Sequence, residues 1–315
     1  MVSIIIPVFN RNSILLETIA SVLRQTFVNF ELIIIDDGSS HNIQELVEKN
    51  FQDKRLQFFR FEKNQGVHIA RNKGLELSIG DFIFFLDSDD QIYPQAIEVA
   101  INYFQLHEDF GVFSAPYLTN SGELTSFAFA EAREIKYEEL LCGCHRAKYK
   151  NGLAVIRKKI IGDIRFVEQN LDFIFYRKIS KKTKFYFFNQ PLGVYNITKN
   201  LQDKNNDLNI TYKRKIPNIK LSISRAKALD NFLQEFSADL LKFCPKKYSS
   251  YAYGAAVGLL LNKQKKQAIK YAFKAFQNDY KRLKFFLFFI FSMLPFSGSL
   301  LKFLFKLKFF IFYRV

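Results

Sequence analysis

Over residues 1–117, short apolar runs alternate with longer amphipathic stretches. The runs cover residues 2–8, 31–35, 56–61, 81–86 and 111–115. Runs of this length, rich in Ile, Val and Phe, read as strands buried on both faces. The stretches between them, at residues 13–24, 42–49, 67–77 and 94–106, read as helices. Ser13 is placed to cap the first, because its hydroxyl oxygen can accept a free backbone N–H. Pro94 suits the first turn of the last, where no N–H is needed. Strands and helices alternating in this way predict an α/β fold with a doubly wound, mostly parallel sheet. From 118 to 212 the alternation fades, although residues 137–141 and 170–179 still read as helical. Residues 213–280 read as helices, with Ile269, Ala272, Phe273 and Phe276 at the i, i+3, i+4, i+7 spacing of one apolar face.

In an open parallel sheet, ligands bind beyond the carboxyl ends of the strands. There the second run ends in Asp36-Asp37-Gly38-Ser39 and the fourth in Asp87-Ser88-Asp89-Asp90. Like charges brought together repel, and burial makes the repulsion worse. A bound cation, or a ligand rich in donors, relieves it. In an extended segment residues i and i+2 point the same way. Asp87 and Asp89 are therefore expected to flank one octahedral Mg²⁺ or Mn²⁺, shared with phosphate oxygens and water. Each motif also has a plainer reading. The first is a tight turn with Ser39 or Ser40 as a helix cap, and the second a polar loop ahead of the helix near Pro94.

Charge changes the picture at the other end of the chain. The whole sequence carries 46 Lys+Arg against 30 Asp+Glu, a net +16. From Lys213 onward there are 21 Lys+Arg and only four acids, Asp230, Glu235, Asp239 and Asp279, so residues 1–212 are near neutral. Such asymmetry suggests an extension that meets a polyanion. Residues 285–301 are uncharged but hold Pro295, Gly298 and three serines. One membrane span needs roughly 20 apolar residues, so this run predicts helices lying in an interface instead. An anionic membrane surface contacted through residues 263–315 is the expected partner. The alternatives are a packing appendage and a nucleic-acid-binding protein. Large Phe clusters among the basic residues, with no RNA- or DNA-binding module, speak for no nucleic acid. Cys142, Cys144 and Cys244 form no disulfide framework, and Cys142 and Cys144 with His145 lack a second ligand pair at zinc spacing. The first residues carry no basic n-region and no small-residue cleavage site. The expectation is a reduced, cytoplasmic chain attached peripherally to the inner face of the cell membrane.

Five segments of residues 1–117 together resemble the family 2 glycosyltransferases, which are inverting enzymes with the GT-A fold. They are Val2-Ser3-Ile4-Ile5-Ile6-Pro7-Val8-Phe9-Asn10, then Ser21-Val22-Leu23-Arg24-Gln25-Thr26-Phe27, and Glu31-Leu32-Ile33-Ile34-Ile35-Asp36-Asp37-Gly38-Ser39. Asn64-Gln65-Gly66 with Ala70-Arg71-Asn72-Lys73-Gly74 follows, and then Gly80-Asp81-Phe82 through Asp87-Ser88-Asp89-Asp90. The resemblance implies a Rossmann-like GT-A catalytic domain over 1–212, with a nucleotide-sugar half (1–117) and an acceptor half (118–212). Residues 213–315 would be a helical, basic, Phe-rich extension.

The same resemblance implies roles. Pro7 and Phe9 would line the nucleotide pocket, Asp37 would bond the base, and Arg71 would help hold the nucleotide. Asp87 would lie near ribose and metal, and Asp89 would be the principal ligand of Mn²⁺ or Mg²⁺. The implied reaction moves a sugar from a nucleotide-sugar donor, a UDP-sugar favoured, to a hydroxyl of a glycan or lipid-linked acceptor in surface polysaccharide synthesis. An inverting transfer needs a general base for the acceptor hydroxyl. The segment around Leu171-Asp172 resembles the family's base region, so Asp172 takes that role and Glu168 stands next. Leu171 occupies a position where the family often has Glu. A glycosyltransferase-like scaffold without activity is the other implied reading; Asp37, Asp87, Asp89 and Asp172 argue against it.

Overall fold

Two strands made mostly of Ile, Val, Leu and Phe organise the protein. In the computed structural model, which describes residues 1–125, 129, 131–143, 152–167, 171–196 and 219–306, β1 (Val2–Val8) and β2 (Phe30–Asp36) are buried along their whole length. A fully buried Ile or Phe contributes about 1.5–3 kcal/mol relative to its exposed state, so these strands anchor the core. α1 (Ser13–Leu23), α2 (Ile43–Asn50), β3 (Leu56–Arg60) and α3 (Val67–Leu77) follow, then β4 (Phe82–Phe85), β5 (Gln91–Ile92), α4 (Ala96–Leu106) and β6 (Phe110–Pro116). The expected strands and helices all form within a few residues of their predicted ends.

Beyond β6 come β7 (Leu118–Thr119), β8 (Arg133–Ile135), α5 (Tyr137–Cys142), β9 (Gly152–Arg157) and α6 (Lys158–Ile161), then α7 (Asp172–Ser180), β10 (Lys184–Phe187) and β11 (Gly193–Tyr195). Eight strands make the main sheet in the order β3-β2-β1-β4-β9-β6-β10-β8, and β5-β11-β7 make a small second sheet. β1 pairs in parallel with β2 and β4, β2 with β3, and β6 with β10. β9 runs antiparallel between β4 and β6. One face of the sheet is packed by Ile19 of α1 and Phe104 of α4, the other by Ala70 of α3 and Phe175 of α7.

Several local expectations are corrected. β3 is an edge strand among the described residues and is only partly buried. Ser13 lies inside α1 rather than ahead of it; Asn12 is the N-cap residue and its side chain makes no capping bond. Pro94 precedes α4, whose first N–H, on Ala96, bonds the Tyr93 carbonyl at 2.9 Å. Glu31 sits in the buried β2 because its carboxylate is satisfied: Ser3 Oγ donates at 2.5 Å, Gln57 Nε2 at 2.7 Å and the Ile79 N–H at 2.7 Å. A buried carboxylate is tolerated only with such partners.

The chain divides into two compact units, residues 1–166 with 175–208, and residues 167–174 with 209–315. The second unit holds α8 (Ile219–Phe243), α9 (Pro245–Leu261), α10 (Lys265–Asn278), α11 (Leu283–Met293) and α12 (Ser297–Lys306). α9 meets α8 closely at Gly258, where an added Cβ would lie 2.4 Å from Ala226 Cβ. α10 buries Ala268, Ala272 and Ala275; Phe273, read as part of its inward face, is 42% exposed. The small alanines let α10 approach its neighbours and turn the larger ring outward. Residues 285–301 span all but the first two residues of α11, a break at Pro295 and the first half of α12. Among the described residues no helix is long and apolar enough to cross a membrane.

Close packing of α3 on β1 depends on one missing side chain. A Cβ at Gly74 would lie 2.3 Å from Ile5 Cγ2. Gly74→Val should therefore lower stability by roughly 1–3 kcal/mol, the usual cost of overfilling a packed core. Gly74→Ala should cost less. Urea unfolding followed by circular dichroism checks both, and unchanged midpoints would mean that α3 shifts freely.

Candidate active site

The site is set by register. Val8 pairs with Asp36, and Ile5 pairs with Phe85, so β1, β2 and β4 end at one edge. There Asn10 adopts a left-handed conformation with φ 51°, which asparagine tolerates better than most residues. Its Oδ1 accepts from the Ser40 N–H at 2.8 Å and the Ser40 hydroxyl at 3.0 Å, and its own N–H donates to Ser39 Oγ at 2.8 Å. The loop after β1 is thus tied to the turn after β2. Ser39 and Ser40 are used in this tie, and Asn42 caps α2 by accepting the Glu45 N–H at 3.1 Å.

Gly38 has φ +72°, and a Cβ there would come within 2.5 Å of the Lys63 carbonyl carbon. The missing side chain lets the turn press against residues 63–66. As a result the Asp37 carboxylate accepts the Gln65 N–H at 2.7 Å and the Gly66 N–H at 2.8 Å. Asp37 is buried. Burial raises its pKa, the two N–H groups pull it down, and the neighbouring Asp36 pushes it up again; the net result is above the usual carboxylate range. Asp36 itself accepts the Ser39 N–H at 2.9 Å and has Arg60 3.5 Å away.

The second acidic segment is a turn rather than an extension of β4. The Asp90 N–H bonds the Asp87 carbonyl at 3.1 Å, so the expectation that Asp87 and Asp89 project together from extended backbone is corrected. Each finds its own arginine. Arg71 Nη2 of α3 reaches Asp87 Oδ1 at 2.6 Å, and Arg11 Nη2, from the loop after β1, reaches Asp89 Oδ2 at 2.8 Å. Asn196, just past β11, donates from Nδ2 to the Asp89 carbonyl at 2.7 Å.

Asp90 is 2% exposed, and its Oδ1 has no hydrogen-bond partner among the described residues. Burial, followed by the charges of Asp87 and Asp89, raises its pKa well above the usual carboxylate range. Asp89 is raised too, mainly by burial; Arg11 opposes the shift and Asp87 adds to it. The buried Tyr117 hydroxyl is pushed far up, first by burial and then by Asp90 and Asp87.

Asp87, Asp89 and Asp90 form an oxygen-only donor set in which two carboxylates are each offset by one arginine and the third keeps an orphaned buried oxygen. That chemistry fits a hard divalent cation, which uses one or two carboxylates and completes its shell with phosphate and water. A complete protein cage is not built: among the described residues no three His, Cys, Asp or Glu side chains converge on one point.

Of the residues expected at the site, Pro7 is buried in β1 opposite Ile35, and Phe9 lies half-buried just beyond it. The Arg71 guanidinium also lies 5.4 Å from the Phe166 ring centre. These three share one sheet edge with Asp37, Asp87 and Asp89. Asp172 is half-buried, opens α7 and falls in the second unit. Glu168, Cys144 and His145 lie outside the described residues. Sequence reasoning missed Arg11 and Asn196. Arg11 had a usable signal, a basic residue in the loop after β1 facing a row of acids. Asn196 had none, since it comes from 107 positions away.

Comparison with known proteins identifies the family and the fold. The family model described as Glycosyl transferase family 2 matches residues 3–165. An uncharacterized glycosyltransferase of Rickettsia felis is 48% identical over 104 residues, which is 33% of this chain and 17% of that protein. WfgD of Escherichia coli, a UDP-Glc:alpha-D-GlcNAc-diphosphoundecaprenol beta-1,3-glucosyltransferase, is 33% identical over 144 residues, 46% of this chain and 56% of that protein. This chain thus spans about a sixth of the first relative and just over half of the second. Among solved structures, S. aureus TarS 1-349 in complex with UDP-GlcNAc superposes with a TM-score of 0.59 at 19% identity, covering 99% of this chain and 93% of that one. The fold is therefore GT-A, with a helical basic extension, and the chain belongs to glycosyl transferase family 2.

Proposed function

We propose that this chain transfers a sugar from a nucleotide-sugar donor, a UDP-sugar favoured, to a hydroxyl of a glycan or lipid-linked acceptor, with inversion. The observation that carries this reading is the clamped Asp37 carboxylate beside two arginine–aspartate pairs on one sheet edge. Each Asp37 oxygen accepts one backbone N–H and keeps a second lone pair, so it can also accept from the N–H of a pyrimidine base. Pro7 and Phe9 give that base an apolar wall. Arg71 and Arg11 supply positive charge for a diphosphate. Asp87 and Asp89 would hold Mn²⁺ or Mg²⁺, and the ion would stabilise charge on the departing diphosphate as a Lewis acid.

Asp172 acts as the general base. It takes the proton of the acceptor hydroxyl as that oxygen bonds the anomeric carbon and the bond from that carbon to the diphosphate oxygen breaks. Attack from the opposite face inverts the configuration. Its position at a helix N-terminus favours the carboxylate form that a base requires. WfgD, by name, uses UDP-Glc and a diphosphoundecaprenol acceptor, which supports a polyprenyl-diphosphate-linked glycan acceptor in surface polysaccharide synthesis. An acceptor of that kind puts the reaction at the inner face of the cell membrane.

Three outcomes test this reading. Isothermal titration should show UDP binding that weakens sharply in EDTA and in Asp89→Ala; equal affinity in all three states would remove the metal from the proposal. Asp172→Asn should slow transfer by about 10²–10⁴-fold, the usual contribution of a general base, while UDP binding stays near normal. Retained turnover would move the role to Glu168, and NMR of the product should show inverted anomeric configuration. The third outcome concerns charge. The pKa of Asp90 is raised in the folded protein, so its contribution to stability is full below the ordinary carboxylate pKa and is lost as pH rises through the higher folded value. Asp90→Asn should therefore raise the thermal midpoint of the metal-free protein at pH 7, and the gain should vanish in acid. A lower midpoint at pH 7 would mean that the charge is stabilised where it lies.

A further inference from the structure

α11 has two unlike faces. Its closed face buries Phe285, Phe288 and Ser292, and the rings of Phe285 and Phe288 lie 5.1 and 5.0 Å from that of Tyr253 on α9. Its open face carries Leu283, Phe286, Leu287, Ile290 and Met293, with Leu294 just past the helix end, all between 40% and 66% exposed. At about 100° per residue these six side chains fall within one arc about 120° wide. Phe296, 79% exposed, and Leu300, 42% exposed, extend the apolar surface through the break into α12. Single exposed leucines need no explanation, but a contiguous apolar surface marks a contact.

Charge around this surface has one sign. Residues 280–302 contain Lys281, Arg282, Lys284 and Lys302 and no acid. The acid just before them, Asp279, is buried and paired with Arg282 at 2.9 Å. Lys265 Nζ bonds the carbonyls of Met293 and Leu294 at 3.2 and 2.7 Å, which satisfies the end of α11 without an outside partner. Nucleic acid would use the basic groups and leave the apolar stripe bare. A protein partner's rim is ordinarily polar, and nothing in that requires every charge around the stripe to be positive. An anionic lipid surface meets both features, since acyl chains take the stripe and phosphates take the lysines. With 11 residues α11 is about 16 Å long, too short for a hydrocarbon core of about 30 Å.

We propose that the open face of α11, continued by Phe296 and Leu300, docks flat on an anionic lipid surface. Phe286, Leu287 and Ile290 enter the boundary between headgroups and acyl chains, and Lys281 and Lys302 meet the phosphates. This surface is independent of the donor chemistry proposed above, and its test needs no activity.

The full chain should co-sediment with vesicles of phosphatidylcholine and phosphatidylglycerol at low salt, and weakly with phosphatidylcholine alone. High salt should reduce binding without abolishing it, because apolar insertion is not screened. Leu287→Asp combined with Ile290→Asp should lower partitioning at least tenfold, with the circular dichroism spectrum unchanged because both positions are exposed. The sequence contains no Trp, so Ile290→Trp supplies a single reporter. Its emission should shift to the blue on adding anionic vesicles and be quenched by brominated lipid. The proposal is overturned if the full chain stays in the supernatant at low salt, if the double variant sediments like the parent, or if the reporter's emission does not move. A dimer that the double variant breaks, without vesicle binding by the parent, would also overturn it and make the stripe a contact between copies.

Discussion

β1 is hydrogen-bonded along both sides by parallel neighbours, and the edge chemistry follows from that register. Val8 aligned with Asp36, and Ile5 aligned with Phe85, bring the segments after β1, β2 and β4 into one place. A slip of one residue in either pairing would turn every side chain of a strand to the opposite face. Both faces of β1 and β2 are buried under helices. The cost of such a slip would therefore be borne by the whole core, and the edge inherits the rigidity of the interior.

That rigidity holds charges in an arrangement they would not choose alone. Asp37 is kept by two backbone N–H groups and Asp87 and Asp89 by one arginine each, while Asp90 is buried beside its like-charged neighbours. A flexible loop would separate these groups to lower their repulsion. Here the turn closed between Asp87 and Asp90, with its carbonyl at Asp89 tied to Asn196, prevents it. The arrangement resembles other functional sites in that local electrostatic strain is maintained by structure around it.

The sheet was legible in the sequence because its strands are long apolar runs and its helices repeat on the ordinary period. Val2–Val8 and Val67–Leu77 agree with the expected limits to the residue. β8, β9 and β10 were not legible: they are short and come late, and β9 and β10 take their places in the sheet by long-range pairing with β6. Within the site, Asp37, Asp87 and Asp89 could be read because acids at strand ends are locally anomalous. What each acid touches could not. The partners of Asp37 are backbone groups with no side-chain signature, Arg11 is one arginine among many basic residues, and the turn at residues 87–90 overrode the two-residue alternation expected of a strand.

The insertion of β9 between β4 and β6 has a consequence for synthesis on the ribosome. β9 is antiparallel to both, and it follows β6 by about 35 positions. Until it emerges, β4 and β6 each present a bare row of amide and carbonyl groups, the kind of edge on which chains aggregate. The nascent protein must pass through that interval with half of its sheet already able to form. Translation speed and chaperone access over residues 117–157 therefore bear on yield, because they set how long those edges stay exposed.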